Sequence, residues 1–266
     1  LRRPEDIERY LQVPALVSVP KFHRKGLLRP VRGTATSQLS KERSPVTRLP
    51  ALREAPKTPQ WRTSEKVKPY FELLQERVLL SRNGAVGWPR LIAVTSCYPN
   101  EGTSTVAANL SVLLSSRCGG KVLLVHTTEE PERKKHPFGL HHVEDIREDW
   151  ENNMITIRPS RGGNVEVLFS LPRFCTSKWL GNILSALRER YNFVIFDTEP
   201  LLAGPDGLRW ASLADGVVLV VESERVRWEA AKRAKQMLED TDTRILGVVL
   251  NKRRYYVPGL LYKAFS

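Results

Sequence analysis

Residues 94–105 have the order of a phosphate-binding loop whose lysine is missing. They follow an apolar stretch and precede a helical pattern, and the usual motif at such a place is G-x-x-x-x-G-K-[ST]. Thr103 stands in the lysine position and Cys97 in the position of the first glycine, whereas Gly102 and the hydroxyl of Ser104 are kept. The pattern therefore predicts a loop shaped for phosphate that has lost its main cation.

The composition is that of a globular chain with a core. The 266 residues, 41% of them apolar, are enough for one large α/β domain plus an appendage. No apolar run approaches the ~18 residues that a membrane-spanning helix needs. Three cysteines lie far apart without metal-binding spacing, which favours a reducing cytoplasm. Because the first residue is Leu1, we expect either a fragment or an unusual start codon.

The basic charge is concentrated at the start of the chain. Residues 1–68 hold 16 Lys and Arg against 6 Asp and Glu, within a chain of net charge +13. Three interpretations are open: a solvated linker, contact with an anionic membrane surface at about 1 kcal/mol per basic residue, and nucleic-acid binding. Sparse aromatics (Tyr10, Phe22 and Trp61) count against stacking on single strands, so the linker and membrane interpretations are favoured.

Composition predicts three parts along the chain. Residues 1–22 contain a short helix over 4–11 and an apolar strand over 15–19. Residues 23–64 are rich in Arg, Ser, Thr and Pro without an apolar period, which predicts a basic flexible linker. A helix over 67–80 then opens the compact domain, which extends over residues 65–266.

The compact domain alternates apolar strands with helices. Continuous Val, Leu and Ile runs separated by helices predict an α/β fold, a parallel sheet with helices on both faces. The predicted strands are 91–95, 121–125, 165–170, 193–196, 216–221 and 244–250, and the predicted helices are 104–116, 176–191, 207–213 and 225–238. Ligands of such sheets bind at the carboxyl ends of the strands. Four segments follow strand ends and should converge there: 96–105, 126–128, 197–200 and Asn251.

Several of these runs resemble the cytoplasmic domain of bacterial tyrosine kinases of the MinD-like P-loop group, which act in capsule and exopolysaccharide export. The matching runs are the loop 95–105 with Val106-Ala107-Ala108-Asn109-Leu110, the run 191–200 (YNFVIFDTEP), the run 213–221 (LADGVVLVV) and the run 245–251 (ILGVVLN). Residues 3–20 resemble the segment that follows the second membrane helix of polysaccharide co-polymerases. The resemblance implies a P-loop NTPase-like fold and favours a fragment of a longer protein.

The resemblance also implies a nucleotide site. The residues carried over as cofactor-binding are Gly102, Thr103, Ser104, Thr105 and Asn251, the last near the base. Ser104 and Asp197, which matches the Walker B aspartate, are the residues implied to hold the metal. The implied cofactors are ATP and Mg²⁺, bound weakly because Thr103 cannot form the charged contact that a lysine makes, worth ~1.5–3 kcal/mol. A helix-capping role for Ser104 and a turn role for Asp197 are equal alternatives.

The second catalytic motif of that family is also changed. After the strand 122–125, His126-Thr127-Thr128 replaces the D-x-D carboxylates that would activate the attacking hydroxyl and organise the metal. No residue is therefore assigned as catalytic, and a pseudokinase is expected. Protonated His126 as a substitute cation is a second interpretation, with a plain strand-end histidine favoured. Cys97 is interpreted as a small filler residue rather than a reactive thiol.

Two regulatory features implied by the resemblance are incomplete. The chain ends with Tyr255, Tyr256 and Tyr262, a sparse version of the family's tyrosine cluster, with amphipathic packing as an equal alternative. The helix 67–80 lacks the family's E-x-x-R-x-x-R pattern, because Pro69, Glu72 and Gln75 occupy its positions. Ring assembly of the family type is therefore not expected, although a homo-oligomer of another kind stays open.

Three functions remain in competition at this stage. The first is a degenerate kinase-like domain that regulates or scaffolds exopolysaccharide biosynthesis, peripheral at the cytoplasmic face of the inner membrane and bound to a membrane polysaccharide co-polymerase. The second is an ATP-binding switch with weak or no phosphoryl transfer. The third is a relative of partition-type ATPases that binds nucleic acid, against which the few aromatics and the co-polymerase-like start of the chain count.

Overall fold

The computed structural model describes residues 1–22, 28–30, 60–81, 88–127, 154–159, 164–169 and 177–254. Ten strands and six helices lie within these ranges. The strands are β1 (Ala15–Pro20), β2 (Leu28–Pro30), β3 (Gln60–Thr63), β4 (Leu91–Ser96), β5 (Lys121–His126), β6 (Met154–Pro159), β7 (Asn164–Phe169), β8 (Phe193–Asp197), β9 (Gly216–Glu222) and β10 (Ile245–Arg253). The helices are α1 (Pro4–Leu11), α2 (Lys68–Leu80), α3 (Thr103–Cys118), α4 (Ser177–Arg190), α5 (Pro205–Ala211) and α6 (Trp228–Glu239).

The strands form one sheet in the order β1-β10-β9-β4-β8-β5-β7-β6-β3-β2. The seven strands from β1 to β7 in this order are parallel to their neighbours. The antiparallel pairs are β6 with β7 and β2 with β3 at one end of the sheet. The expected parallel α/β fold is therefore confirmed, and β6, which sequence analysis did not predict, extends it.

Helices cover both faces of the parallel strands. On one face, the buried side chains of α2 and α3 form a core with the inward residues of β1, β4, β5 and β8. On the other face, buried residues of α1, α4, α5 and α6 pack on the alternate residues of the same sheet. Strands buried on both sides must be apolar at every position, which explains the uninterrupted Val, Leu and Ile runs.

The first 22 residues belong to this core. Ile7 and Leu11 of α1 are buried, and β1 pairs in parallel with β10. The backbone N–H of Val248 donates to the carbonyl of Pro14, and that of Lys21 donates to the carbonyl of Arg253. The start of the chain thus supports β10 from Val248 to Arg253, the part of the strand that reaches the candidate site.

The expected linker over 23–64 needs correction at two places. Residues 28–30 and 60–63 form β2 and β3 at the edge of the sheet. Strands of three and four residues are too short to show an apolar alternation. Their hydrogen-bond partners also come from distant parts of the chain, so the local sequence does not indicate them. The rest of the segment, residues 23–27 and 31–59, lies outside the described residues, and the division of the chain at 64/65 stays a prediction.

Candidate functional site

Five neighbouring strands end at the same edge of the sheet, including the four whose ends the sequence predicts to converge. The strand β4 ends at Ser96 and continues into the loop 97–102, with β8 ending at Asp197 and β5 at His126 on one side of it. On the other side, β9 ends at Glu222 and β10 runs through Asn251. Parallel strands place their carboxyl ends together, which is where ligands of open α/β sheets bind.

Inside the loop, a carboxylate braces the backbone. Glu101 is fully buried, and its two carboxylate oxygens accept hydrogen bonds from the N–H of Cys97 at 3.3 Å and of Tyr98 at 3.1 Å. Burial raises the pKa of Glu101 to about 7, against the opposing effect of those two hydrogen bonds and of the nearby Arg225. Glu101 therefore holds two backbone N–H groups of the loop, although burying its ionised carboxylate is costly.

Outside the loop, three side chains bind three consecutive carbonyl groups. Arg225 Nη1 lies 3.4 Å from the carbonyl oxygen of Pro99, and Lys252 Nζ donates to the carbonyl of Asn100. Asn251 Nδ2 donates to the carbonyl of Glu101 at 2.7 Å. These contacts come from the end of β10 and from the turn after β9, so the loop is held from one side.

Glu222 connects the two cations on that side. Its Oε2 accepts from Lys252 Nζ at 2.8 Å and from Arg225 Nη1 at 3.0 Å. Burial alone would raise the pKa of Glu222, but the hydrogen bonds from Lys252 and Arg225 outweigh it and hold the pKa below its usual range. Glu222 is therefore ionised at neutral pH and orients both cations toward the loop.

The loop ends where α3 begins, at Gly102. Its φ of +105° is a conformation that side chains rarely adopt, and an added Cβ would lie 2.2 Å from Asn251 Nδ2. The first intrahelical bond runs from the N–H of Val106 to the carbonyl of Gly102. The N–H groups of Thr103, Ser104 and Thr105 thus occupy the first helical turn, where the backbone donors have no partner within the helix.

This geometry fits a bound phosphate in shape. A helix N-terminus with open amides and a narrow glycine turn attracts an anion through hydrogen bonds and the helix dipole. The side chain at position 103, by contrast, supplies a hydroxyl and no charge. The four predicted residues Gly102, Thr103, Ser104 and Thr105 are contiguous at this turn, and their role in nucleotide binding stays a prediction.

Asn251 lies beside the loop. Its Nδ2 is committed to the Glu101 carbonyl, and its Oδ1 accepts from the N–H of Lys252 at 2.9 Å. Both polar ends of the amide are thus engaged within the protein. A contact of Asn251 with a nucleotide base stays a prediction, whereas its contact with the loop is observed.

On the β5 and β8 side, the predicted metal carboxylate contacts a histidine. His126 Nδ1 lies 3.1 Å from Asp197 Oδ2, and both side chains are largely buried. The N–H and hydroxyl of Thr127 both donate to the carbonyl of Asp197, at 3.1 and 3.2 Å. His126 is therefore not an isolated strand-end residue, since it occupies space beside the carboxylate that would face a metal ion.

The donor set for Mg²⁺ is small. Ser104 and Asp197 are hydroxyl and carboxylate ligands of the kind that Mg²⁺ accepts alongside water and phosphate oxygens. Within the described ranges, no group of three or more His, Cys, Asp and Glu is arranged to hold a metal. The residues present thus fit an ion carried in by a nucleotide and do not form an all-protein metal cage.

The remaining predicted residues divide into those that the structure describes and those outside it. Cys97 is fully buried, and burial raises the pKa of its thiol far above the usual range, as expected for a filler residue. Thr128, Tyr255, Tyr256 and Tyr262 lie outside the described residues. No described helix combines the length and apolarity needed to cross a bilayer.

Sequence reasoning missed four residues of the site: Glu101, Glu222, Arg225 and Lys252. Glu222 and Lys252 stand at or next to the ends of apolar strands, as Asn251 does, so the strand-end argument could have included them. Arg225 follows in the turn after β9. Glu101 gave no signal, because an acidic residue in a loop is usually solvated, and only its burial reveals the brace.

Comparison with known proteins places this geometry in a family. No family model matches the chain. It is 31% identical over 175 residues to the tyrosine-protein kinase YwqD of Bacillus subtilis, which covers 61% of the chain and 72% of YwqD. It is 27% identical over 193 residues to the succinoglycan biosynthesis transport protein ExoP of Rhizobium meliloti, covering 61% of the chain and 22% of ExoP.

A solved structure agrees with this assignment. The chimerical protein CapA2B2 superposes on the chain with a TM-score of 0.68 and 26% identity, covering 95% of the chain and all of CapA2B2. The sequence similarity spans most of YwqD. The chain therefore belongs to the bacterial tyrosine-protein kinase family.

Proposed function

We propose that this chain is a nucleotide-binding, kinase-like regulator of exopolysaccharide biosynthesis that transfers phosphate weakly or not at all. The observation that carries the proposal is the contrast within one site. The loop 97–102 and the start of α3 keep the shape that holds phosphate, whereas Thr103 and His126 replace the residues that would do the chemistry.

ATP, brought with Mg²⁺, is the proposed ligand. The amides of the first turn of α3 would contact its phosphates, and Ser104 and Asp197 would hold the metal. When bound, the ion would supply charge neutralisation between phosphate oxygens. His126 lies 3.1 Å from Asp197, so the metal would have to compete with the imidazole for that carboxylate.

Phosphoryl transfer is not supported by the residues at the site. Transfer needs charge stabilisation on the phosphate and a group that orients the attacking hydroxyl. The position of the lysine holds Thr103, and the positions of the carboxylate pair hold His126 and Thr128. We therefore propose a pseudokinase that acts through nucleotide-dependent assembly, with ATP-binding and release as its switch.

The proposed partner is a membrane polysaccharide co-polymerase. Residues 3–20 resemble the segment that follows a membrane helix in such proteins, and the chain is similar to part of a succinoglycan transport protein. In the structure this segment packs on α6 and pairs with β10, with Tyr10 stacked on Trp228 at 5.5 Å between ring centroids. We propose that the segment places the domain at the cytoplasmic face of the inner membrane, near anionic lipid.

The test of nucleotide binding is calorimetric titration of the purified chain with Mg-ATP. We expect measurable binding that Asp197→Ala weakens about tenfold or more, because that change removes the one charged metal ligand. Asp240→Ala is the matched control, since its carboxylate is exposed at the C-terminal end of α6 and accepts from Gln236. Absence of binding to the unaltered chain at millimolar nucleotide would refute the switch and leave a scaffold.

A second measurement separates the pseudokinase from a kinase. The purified chain is incubated with Mg-ATP, and phosphotyrosine is measured by mass spectrometry. We expect none on Tyr255, Tyr256 or Tyr262. Phosphate on any of these tyrosines that the Asp197→Ala variant loses would show that the chain is an active kinase.

A further inference from the structure

We propose that Lys252 is a positioning residue for the phosphate loop and that it acts together with Glu222. The ammonium of Lys252 donates to the carbonyl of Asn100 and to Glu222 Oε2 at 2.8 Å. A loop carbonyl, a carboxylate and an ammonium thus form one chain of hydrogen bonds. This inference rests on the nucleotide binding proposed above, but its first test needs no ligand.

Most backbone polar groups of the loop form a hydrogen bond with another part of the protein. The N–H groups of Cys97 and Tyr98 bind Glu101, and the carbonyl of Tyr98 accepts from Ser96 Oγ at 3.0 Å. The N–H of Leu202 donates to the carbonyl of Cys97 at 3.3 Å. The next three carbonyls bind Arg225, Lys252 and Asn251, as described above.

The three carbonyl groups point outward, toward the side chains that bind them. The N–H groups at the start of α3 are therefore left to bind an anion. Asn100 has φ of +69° and Gly102 has φ of +105°. These two residues with positive φ flank Glu101, whose carboxylate braces the loop. Such conformations persist only where surrounding contacts impose them. Lys252 imposes one of them directly, because its ammonium holds the carbonyl of Asn100.

The position of Lys252 is itself unusual. Its backbone has φ of +56°, and its N–H donates to Asn251 Oδ1 at 2.9 Å. An irregularity within β10, where its register against β1 shifts between Leu250 and Arg253, therefore sends Asn251 and Lys252 to two adjacent carbonyls of the loop. Glu222 on β9 fixes the Lys252 side chain, which is 28% exposed, so the contact is not a loose surface pair.

The consequence is a way of preserving loop shape after the loss of a lysine at position 103. A lysine at that position would bind the ligand, whereas Lys252 binds the protein and keeps the loop ready for the ligand. Preorganised donors avoid the cost of ordering the loop when phosphate arrives. The effect of Lys252 should therefore appear in both the free protein and the ligand affinity.

The first experiment measures amide hydrogen exchange of the free protein. Lys252→Met keeps most of the side-chain length and removes the charge. We expect exchange of the Cys97 and Tyr98 amides, which donate to Glu101, to quicken at least fivefold, with little change in β4 and β9. Lys252→Arg should restore protection, and Lys235→Met is the control, because it removes a lysine whose ion pair with Glu239 lies on α6.

The second experiment titrates the same variants with ADP. We expect Lys252→Met to weaken ADP affinity roughly tenfold and Lys252→Arg to recover most of it. Glu222→Gln should cause a smaller loss, and combining it with Lys252→Met should add little, because the two residues act as one unit. A purely structural lysine would lower the melting temperature without this coupling or rescue.

The outcomes separate the two proposals. Unchanged exchange of the Cys97 and Tyr98 amides in Lys252→Met would overturn the positioning role. Faster exchange in a protein that binds no ADP would support the positioning role and refute nucleotide binding. Faster exchange with unchanged ADP affinity would also overturn the inference, since the loop would then not need Lys252 to receive phosphate.

Discussion

The two sides of the phosphate loop differ in which residues line them and in what those residues contact. On the β9 and β10 side, Glu222, Arg225, Asn251 and Lys252 bind each other and the loop backbone. On the β5 and β8 side, a histidine contacts the predicted metal carboxylate. The first side holds backbone shape and the second would hold the reacting groups. Loop shape and the proposed chemistry are therefore carried by separate strands.

The largest effect is expected where the two sides meet, at Gly102. In Gly102→Ala the new Cβ would lie 2.2 Å from Asn251 Nδ2 in a backbone with φ of +105°. Strain and the displaced Asn251 hydrogen bond together should cost about 4 kcal/mol of unfolding free energy. Urea unfolding followed by circular dichroism measures it.

Gly181→Ala is the control for that change. Gly181 is exposed in α4 and has nothing within 4 Å of an added Cβ, so alanine should stabilise the chain by about 0.5–1 kcal/mol. If Gly102→Ala unfolds no more easily than the unaltered chain, the β10 side does not restrain the loop, and the contrast between the two sides fails.

The next effect concerns the buried carboxylate of Glu101. Its pKa of about 7 in the folded chain lies above the ordinary value of 4.5, so the folded state binds a proton more tightly than the unfolded state. Stability should therefore fall as pH rises from about 4.5 to about 7, by at most about 3 kcal/mol from this group. Glu222 and Asp215 have lowered pKa values, so their contributions to folded-state stability are lost only as the pH falls below this range.

Glu101→Gln tests that assignment. The unfolding free energy of the variant should lose most of the slope between pH 4.5 and 7, whereas Glu229→Gln, which changes an exposed residue of α6, should keep it. Denaturant titrations at four pH values would show this. An unchanged slope in Glu101→Gln would mean that another group causes the pH dependence of the unfolding free energy, and that ionising Glu101 does not destabilise the folded chain.

A third change adds the phosphate-binding charge that position 103 lacks, while the β5 and β8 side is left unaltered. Thr103→Lys should tighten ATP binding tenfold to a hundredfold, because it adds a charged contact worth ~1.5–3 kcal/mol to a loop that is already shaped. It should create no kinase activity, since His126 and Thr128 still occupy the positions of the carboxylate pair. Calorimetry and phosphotyrosine mass spectrometry would measure the two results on one sample.

Autophosphorylation by Thr103→Lys would contradict the proposed absence of chemistry on the β5 and β8 side. It would show that His126 and its neighbours can replace the carboxylates of the family motif. Thr105→Lys is a suitable control, because it adds the same charge two residues along in the first turn of α3. Equal tightening in both variants would indicate general electrostatic attraction rather than a specific lysine site.

The sequence predicted the parts of the fold that depend on local pattern. The buried runs that became β4, β5, β8 and β9 were found with ends within one or two residues, because continuous apolar runs have few alternatives in a folded chain. The strand β6 (MITIRP) was missed. Its sequence alternates weakly, and it exists because β7 and β3 lie beside it.

The candidate site was predictable to the same degree. Strand-end reasoning placed Asp197, His126 and Asn251 at one edge, since topology alone brings strand ends together. It could not show that Asn251 binds a loop carbonyl or that Asp197 contacts His126. Those facts depend on side-chain directions and on distances between segments more than 70 residues apart, for which one sequence carries no signal.

The smallest effect is expected at Arg225, and it sharpens the picture of the β9 and β10 side. Its side chain is half exposed, and its contact with the Pro99 carbonyl is long at 3.4 Å. Exposed ion pairs contribute little, so Arg225→Gln should change the unfolding free energy by less than about 0.5 kcal/mol and ADP affinity by less than threefold. Lys252→Met, measured beside it, should do several times more. Equal effects from the two variants would mean that the loop responds to the summed positive charge near it, and that the specific bond to Asn100 is not what holds its shape.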